Sequence, residues 1–220
     1  MTDAPRYLRE PPDEHPAVVA YLEKPGGLGE ETVQASLLLL VATGALEQRR
    51  STRRVTTIAR AHDIEVTELR PVTERWDALD VLDKELISLL WGTLGGAGAL
   101  SLADLQAAVR RRPDSFAAAL QHWHASVAAR AAQLGLVEGG KRTELGNAAR
   151  ERHRAFRRYL KEFGTLEDEP PVAVALWGPY LAYAVLFGLG DRVARELGLD
   201  SPSVAADPNL AVWKAWLSLD

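Results

Sequence analysis

Residues 30–58 read EETVQASLLLLVATGALEQRRSTRRVTTI, and the change of rhythm inside this stretch decides the fold. From Glu30 to Thr43 the apolar residues fall at helical spacing, with Val33, Leu37, Leu40 and Val41 on one face, and Gly44 stands where a helix ends in a left-handed residue. Beyond it Ala45-Leu46-Glu47-Gln48-Arg49, Ser51-Thr52 and Val55-Thr56-Thr57-Ile58 abandon that period and predict a two-stranded hairpin with a basic tip. Ile64, Val66 and Leu69 fit a further short strand or, almost as well, a frayed helix. A short helix precedes this stretch. Its lead, Tyr7 to Pro16, carries Pro11 and Pro12 and ends with Pro16 at a first helical position; Val18, Val19 and Leu22 form its apolar face, and Pro25-Gly26-Gly27 stops it. Helix, helix, hairpin is the order of a winged helix.

The same order recurs. Leu79, Leu82, Leu86, Leu89 and Leu90 mark a helix closed by Gly92 to Gly98, and Ser101-Leu102-Ala103-Asp104 opens another through a serine cap. A longer helix runs from Pro113 to Leu134 with Phe116, Leu120, Trp123, Val127 and Leu134 on its buried stripe, and Gly135 ends it before Leu136-Val137. Near Thr143 a third region begins, with Ala149, His153, Phe156, Leu160 and Phe163 on one helical face and Arg150, Arg152, Arg154, Arg157 and Arg158 around the others. Glu167-Asp168-Glu169-Pro170-Pro171 is an acidic, stiff connector to the last helices, the final one holding Trp213 and Trp216. The expected fold is therefore mostly α: tandem winged-helix-like units with short β-hairpins over 1–70 and 71–142, then a C-terminal helical region over 143–220.

Composition narrows the function classes. The 220 residues are 47% hydrophobic and 25% charged, which suits folded domains rather than a disordered chain. A net charge of -4 argues against a surface built as a whole to embrace phosphates or anionic lipid. The chain has no cysteine, so disulfides, thiolate nucleophiles and thiolate zinc sites are excluded, and a reducing compartment is the natural setting. Met1 to Pro12 mixes Arg6, Arg9, Asp3 and Glu10 with no apolar run, which is unlike a secretory signal and leaves the cytoplasm as the expected location. Pro170 to Gly190 lacks any charge over about the length of a bilayer span, but it is rich in Ala and Gly and broken by Gly178-Pro179, and it reads as a buried core helix.

Several motifs fall short of their chemistry. Gly135 to Lys141 has the spacing of most of a P-loop, yet Arg142 stands where a serine or threonine would hold magnesium, and a helix leads in where a strand should. His122 and His124 lie about 200° apart around a helix and cannot clasp one metal, while His15, His62 and His153 sit in separate segments and read as surface or interface residues. Asp80 and Asp83 share a helix face as a formal acid and base pair, but a first helical turn favours aspartate on its own account. Gly95-Gly96-Ala97-Gly98 lacks the flanking strand of a dinucleotide site. No catalytic, metal or cofactor site is expected, and the chain is not read as an enzyme.

The residues resemble the cytoplasmic tail of a family of uncharacterised predicted bacterial membrane proteins. Tyr7 with Arg9-Glu10-Pro11-Pro12 is similar to the start of that tail, and Gly44-Ala45-Leu46 sits where its first hairpin begins. Phe156-Arg157-Arg158-Tyr159-Leu160, Leu176-Trp177, Tyr180-Leu181-Ala182-Tyr183-Ala184 and Leu189-Gly190 are the most specific matches. Gly178-Pro179 departs from the family, where charged residues are usual, and the family's spans have no counterpart ahead of Tyr7, so the chain is expected to be an excised tail or a stand-alone relative. The resemblance implies a helical, winged-helix-containing domain that works beside a membrane protein and carries over no activity.

Two functions follow as expectations. The first is an intracellular protein-interaction module without a span of its own, with Trp177, Tyr180 and Tyr183 as the partner surface, because aromatic side chains with one polar end favour interfaces. The second is a DNA-binding regulator that uses Arg49, Arg50, Arg53 and Arg54 on the hairpin. Specific nucleic-acid recognition is the weaker of the two. The helix that would enter the groove offers only Thr32, Gln34, Ser36 and Thr43, behind Glu30 and Glu31.

Overall fold

Helix ends fall where the capping residues put them. The structure, a computed structural model, describes residues 6–25, 27–56, 61–96, 98–162 and 174–196. In α1 (Pro16–Glu23) the cap is His15, whose Nδ1 accepts from the amide of Ala17 at 3.1 Å. Beyond α2 (Glu30–Ala42), Asp80 caps α3 (Val81–Thr93) through Leu82 N–H at 2.9 Å, and Ser101 caps α4 (Leu102–Arg111) through Asp104 N–H at 3.1 Å. Pro113 opens α5 (Pro113–Gln133), and Thr143 Oγ1 accepts from Gly146 N–H at 3.0 Å at the start of α6 (Glu144–Glu162). The described chain closes with α7 (Val174–Leu186) and α8 (Gly190–Glu196). Gly44 and Gly135 take φ of 72° and 70°, and the amide after each, of Ala45 and Leu136, returns to the carbonyl of Leu40 and Ala131. Glycine is favoured there because a Cβ in that conformation meets the backbone.

Among the described residues five strands accompany the helices. β1 (Leu46–Thr56) and β2 (Ala61–Pro71) form an antiparallel ladder that runs from Leu46↔Pro71 to Thr56↔Ala61, and β3 (Leu100–Ser101) joins the far side of β2. β4 (Val137–Glu138) and β5 (Lys141–Arg142) make a small separate hairpin. The fold is mostly α, as expected, but the first hairpin is longer than the sequence reading placed it. Ser51-Thr52 is not a turn: it offers neither glycine nor asparagine for the positive φ that a tight hairpin needs, and β-branched Val55 and Thr56 carry β1 onward. Arg49 to Arg54 therefore lie along the middle of β1 rather than at its tip. Thr57-Ile58, expected to end the second strand, the acidic connector, Phe163, Trp213 and Trp216 lie outside the described residues. Leu134, expected on the buried stripe of α5, is exposed, because the helix ends at Gln133 before it.

Two apolar clusters organise the described residues, and neither follows the chain in a single block. The larger gathers Leu22, Leu37, Leu46, Leu69, Leu86, Leu100, Trp123 and Val127 with Leu136 and Ala149, drawing on α1 to α6. The smaller joins Phe156, Tyr159 and Leu160 of α6 to Leu181, Tyr183 and Val185 of α7 and Val193 of α8, and it also takes Val19 of α1 and Leu38 of α2. α1 and α2 thus present apolar residues to both clusters. A helix buried on two sides has little use for a polar stripe, which explains why Ser36 and Thr32 are buried in α2 while Ser36 Oγ donates back to Thr32 O at 2.8 Å. α7 packs against α2 and α6 despite Pro179 within it. Among the described residues no helix is long and apolar enough to cross a membrane.

Candidate functional site: an aromatic face that grips the leading strap

Residues 6–15 precede α1 without regular secondary structure, and Pro11 and Pro12 remove two amide donors and restrict φ along this strap, which ends at Pro16 of α1. Its carbonyls need donors, and α6 and α7 supply them. Tyr183 Oη donates to the carbonyl of Glu14 at 2.6 Å and lies 3.2 Å from that of Pro12; Tyr180 Oη donates to Arg9 O at 2.7 Å. Arg158 Nε donates to Arg6 O at 2.9 Å, and the Tyr7 hydroxyl donates to the Glu162 carboxylate. Behind these donors the rings pack on one another. Phe156 lies 5.6 Å from Tyr180 and 6.1 Å from Tyr183, both edge to face, which suits the quadrupoles of aromatic pairs.

Glu14 locks the inner end of the strap. Its carboxylate accepts from His153 Nε2 at 3.0 Å and from Arg152 at 3.1 Å, and the His153 hydrogen bond, with the cationic neighbours, holds its pKa down at about 2. His153 is only 1% exposed, and its Nδ1 has no hydrogen-bond partner among the described residues. A small cavity of about 110 Å³ remains between Leu8, Pro11, Pro12 and Phe156. Burial raises the Tyr183 pKa far above its ordinary value, and burial raises that of Tyr180 too, so both phenols stay protonated and keep the hydrogen they donate.

The sequence-predicted partner residues thus meet the chain's own strap. Tyr183 is buried and Tyr180 half-buried, both engaged with carbonyls of residues 9–14, while the side chain of Trp177 lies outside the described residues. Sequence reading missed the partners of these phenols. The signal was present in Pro11, Pro12 and Pro16, since a proline-rich lead is poor in donors and rich in unpaired acceptors. His153, read as a surface or interface residue, is buried instead, and His15 is half-buried; each reaches a carboxylate, with His15 Nε2 3.0 Å from Asp83 so that it ties α1 to α3.

The other motifs resolve into structural contacts. Arg142, at the magnesium position of the broken P-loop, sends NH1 to Leu22 O at 2.7 Å and caps the end of α1; Gly139 and Gly140 form the turn of β4 and β5 with φ of 55° and 76°. Asp80 caps α3 and accepts from Arg130 at 2.7 Å, and Trp123 Nε1 donates to Leu82 O at 3.0 Å. Burial alone lowers the His124 pKa. On the hairpin, Arg53 grips Asp104 with both terminal nitrogens, at 2.7 and 2.8 Å, while Arg49, Arg50 and Arg54 are exposed. An apolar groove of about 520 Å³ opens between α2, α4 and α5 over Val33, Leu37, Leu105, Val109 and Phe116, with Gln34, Gln106 and Arg110 at its rim.

The chain matches no curated protein and no solved structure. Residues 136–197 match the family model described as the C-terminal domain of a predicted membrane protein (DUF2207). The match leaves out the lead and Gly44-Ala45-Leu46, to which the sequence resemblance also extends, and it covers the residues on which that resemblance is most specific. Residues 136–197, which carry α6, α7 and the phenols that hold the strap, are similar to the C-terminal domain of this predicted membrane-protein family.

Proposed function

We propose that the chain is a non-enzymatic protein-interaction module of the cytoplasm that serves a membrane-protein system, and that its α6 and α7 face recognises a proline-rich segment by its backbone. The observation that carries this reading is the set of donors from Tyr180, Tyr183 and Arg158 to the carbonyls of residues 6–14. Donors of this kind on an aromatic surface are how proline-rich segments are bound between proteins. Here the ligand is held in cis, so a partner with the same presentation competes with the strap, and its binding is coupled to strap release. The similarity of residues 136–197 to a domain of predicted membrane proteins supports the membrane-protein setting. The structural roles of Asp80, Asp83, His153 and Arg142 support the absence of catalysis, since each is already committed to a cap or a pair.

The test replaces residues 6–14 in the full chain by a flexible Gly/Ser segment of equal length and titrates it with a synthetic peptide of residues 6–16. The replaced chain is expected to bind the peptide with one-to-one stoichiometry, the unaltered chain to bind it poorly, and Tyr180→Phe with Tyr183→Phe to abolish binding. Failure of the replaced, folded chain to bind would make the α6 and α7 face a structural seam only. The second reading, a winged-helix DNA-binding regulator, draws on the exposed Arg49, Arg50 and Arg54. Selection from a random duplex pool at physiological salt, where non-specific phosphate contacts are weakened, separates it: enrichment of one sequence favours the regulator.

A further inference from the structure

β1 is the outer strand of its sheet. β2 pairs along its whole length on one side, and among the described residues no strand pairs with the other. An open edge of this kind presents unpaired amides and carbonyls and is a template for another strand. Arg49, Arg50 and Arg54 stand exposed along it and make no ion pair among the described residues. Their neighbour Arg53 already binds a carboxylate through both terminal nitrogens, that of Asp104.

Charge decides what this edge accepts. Arg49-Arg50-Ser51-Thr52-Arg53-Arg54 reads the same in charge in both directions. Two copies of β1 brought together antiparallel about its middle set Arg50 against Arg53 and Arg49 against Arg54, and a slip of one residue sets Arg49 against Arg53 or Arg50 against Arg54. Like charges directly opposite oppose pairing, so a second copy of this chain is a poor occupant. A nucleic acid laid across the hairpin also meets carboxylates, since the register places Asp63 across from Arg54 and Glu68 across from Arg49. A strand added beside β1 lies on the side away from β2. We propose that the β1 edge takes an extended acidic segment of a partner protein as an added strand, with two adjacent carboxylates opposite Arg49 and Arg50 and a third, four residues on from the second, opposite Arg54.

The full chain is tested by fluorescence anisotropy at physiological salt with a labelled peptide of alternating Thr and Val that carries Glu at those three positions. Its controls replace Glu by Gln, or place proline at two central positions, which removes the donors for a ladder without changing charge. The acidic peptide is expected to bind, to protect amides of residues 46–56 from hydrogen exchange, and to lose about tenfold or more in affinity against the triple variant Arg49→Gln, Arg50→Gln, Arg54→Gln. The three side chains are exposed, so the variant is expected to melt as the wild type does. Unchanged affinity for the triple variant, equal binding of the proline peptide, or no binding at all would overturn the proposal. Tighter binding of duplex DNA than of the peptide would transfer the edge to nucleic acid and overturn it equally.

Discussion

Glu14 holds His153 and Arg152 at once and offers its own carbonyl to Tyr183, so one residue fixes the strap to α6 by its side chain and to α7 by its backbone. Its carboxyl, lowered from 4.5 to about 2, binds a proton more weakly folded than unfolded. That difference stabilises the fold above about pH 4.5, by at most about 3 kcal/mol, and the stabilisation is lost as pH falls toward 2. Glu14→Gln is expected to be less stable than wild type in urea at pH 7, with the gap narrowing between pH 4.5 and about 2; a constant gap across that range would refute the assignment. Gly146 illustrates a different constraint. A Cβ there would lie 2.0 Å from the carbonyl oxygen of Leu136, a backbone atom, so Gly146→Ala is expected to cost about 2–4 kcal/mol in an unfolding titration. Arg142→Ala leaves the end of α1 uncapped and is expected to cost about 1–2 kcal/mol, with ATP and magnesium shifting the melting temperature of neither protein. The sequence showed that Arg142 spoils a P-loop; that it caps a helix more than a hundred residues earlier depends on packing that no local pattern encodes.

At the scale of elements, what was readable was whatever local chemistry determines. Gly44 and Gly135 ended their helices, Ser101 and Thr143 began theirs, and the apolar stripe of α5 put Trp123 in the core. The course of β1 was less legible, because a strand that turns and a strand that continues share the same β-branched residues, and only the missing turn glycine at Ser51-Thr52 separates them. The polar residues of α2 misled in another way: Thr32 and Ser36 looked available to a ligand, but a short hydroxyl can satisfy itself on the preceding turn and be buried with its helix. The arginines of β1 also guard its edge. Arg49→Thr, Arg50→Thr and Arg54→Thr together remove the like-charge barrier while keeping strand propensity, and sedimentation is expected to show self-association that rises with concentration beyond that of the wild type. Equal sedimentation of the two would mean that these charges do not protect the edge.

Across the whole molecule, α1 and α2 serve both apolar clusters, and the strap ties the start of the chain to α6 and α7. The sequence divided the chain into successive units because periodicity is read along the chain, whereas Val19 and Leu38 meet Tyr183 only after the chain has returned on itself. Removing one hydroxyl from that junction is a sensitive probe. Tyr183→Phe leaves the carbonyls of Pro12 and Glu14 without their donor, and it is expected to lower stability by about 1–2 kcal/mol and to speed tryptic cleavage after Arg9. Cleavage at the wild-type rate would show that the strap is held elsewhere. Tyr7 meets Glu162, 155 residues later, and Arg9 meets Tyr180, 171 residues later. On a ribosome the strap is therefore synthesised well before the helices that hold it. Until α6 and α7 emerge its carbonyls stay open to any factor that handles nascent chains, and its closure marks the moment at which α7 has been made.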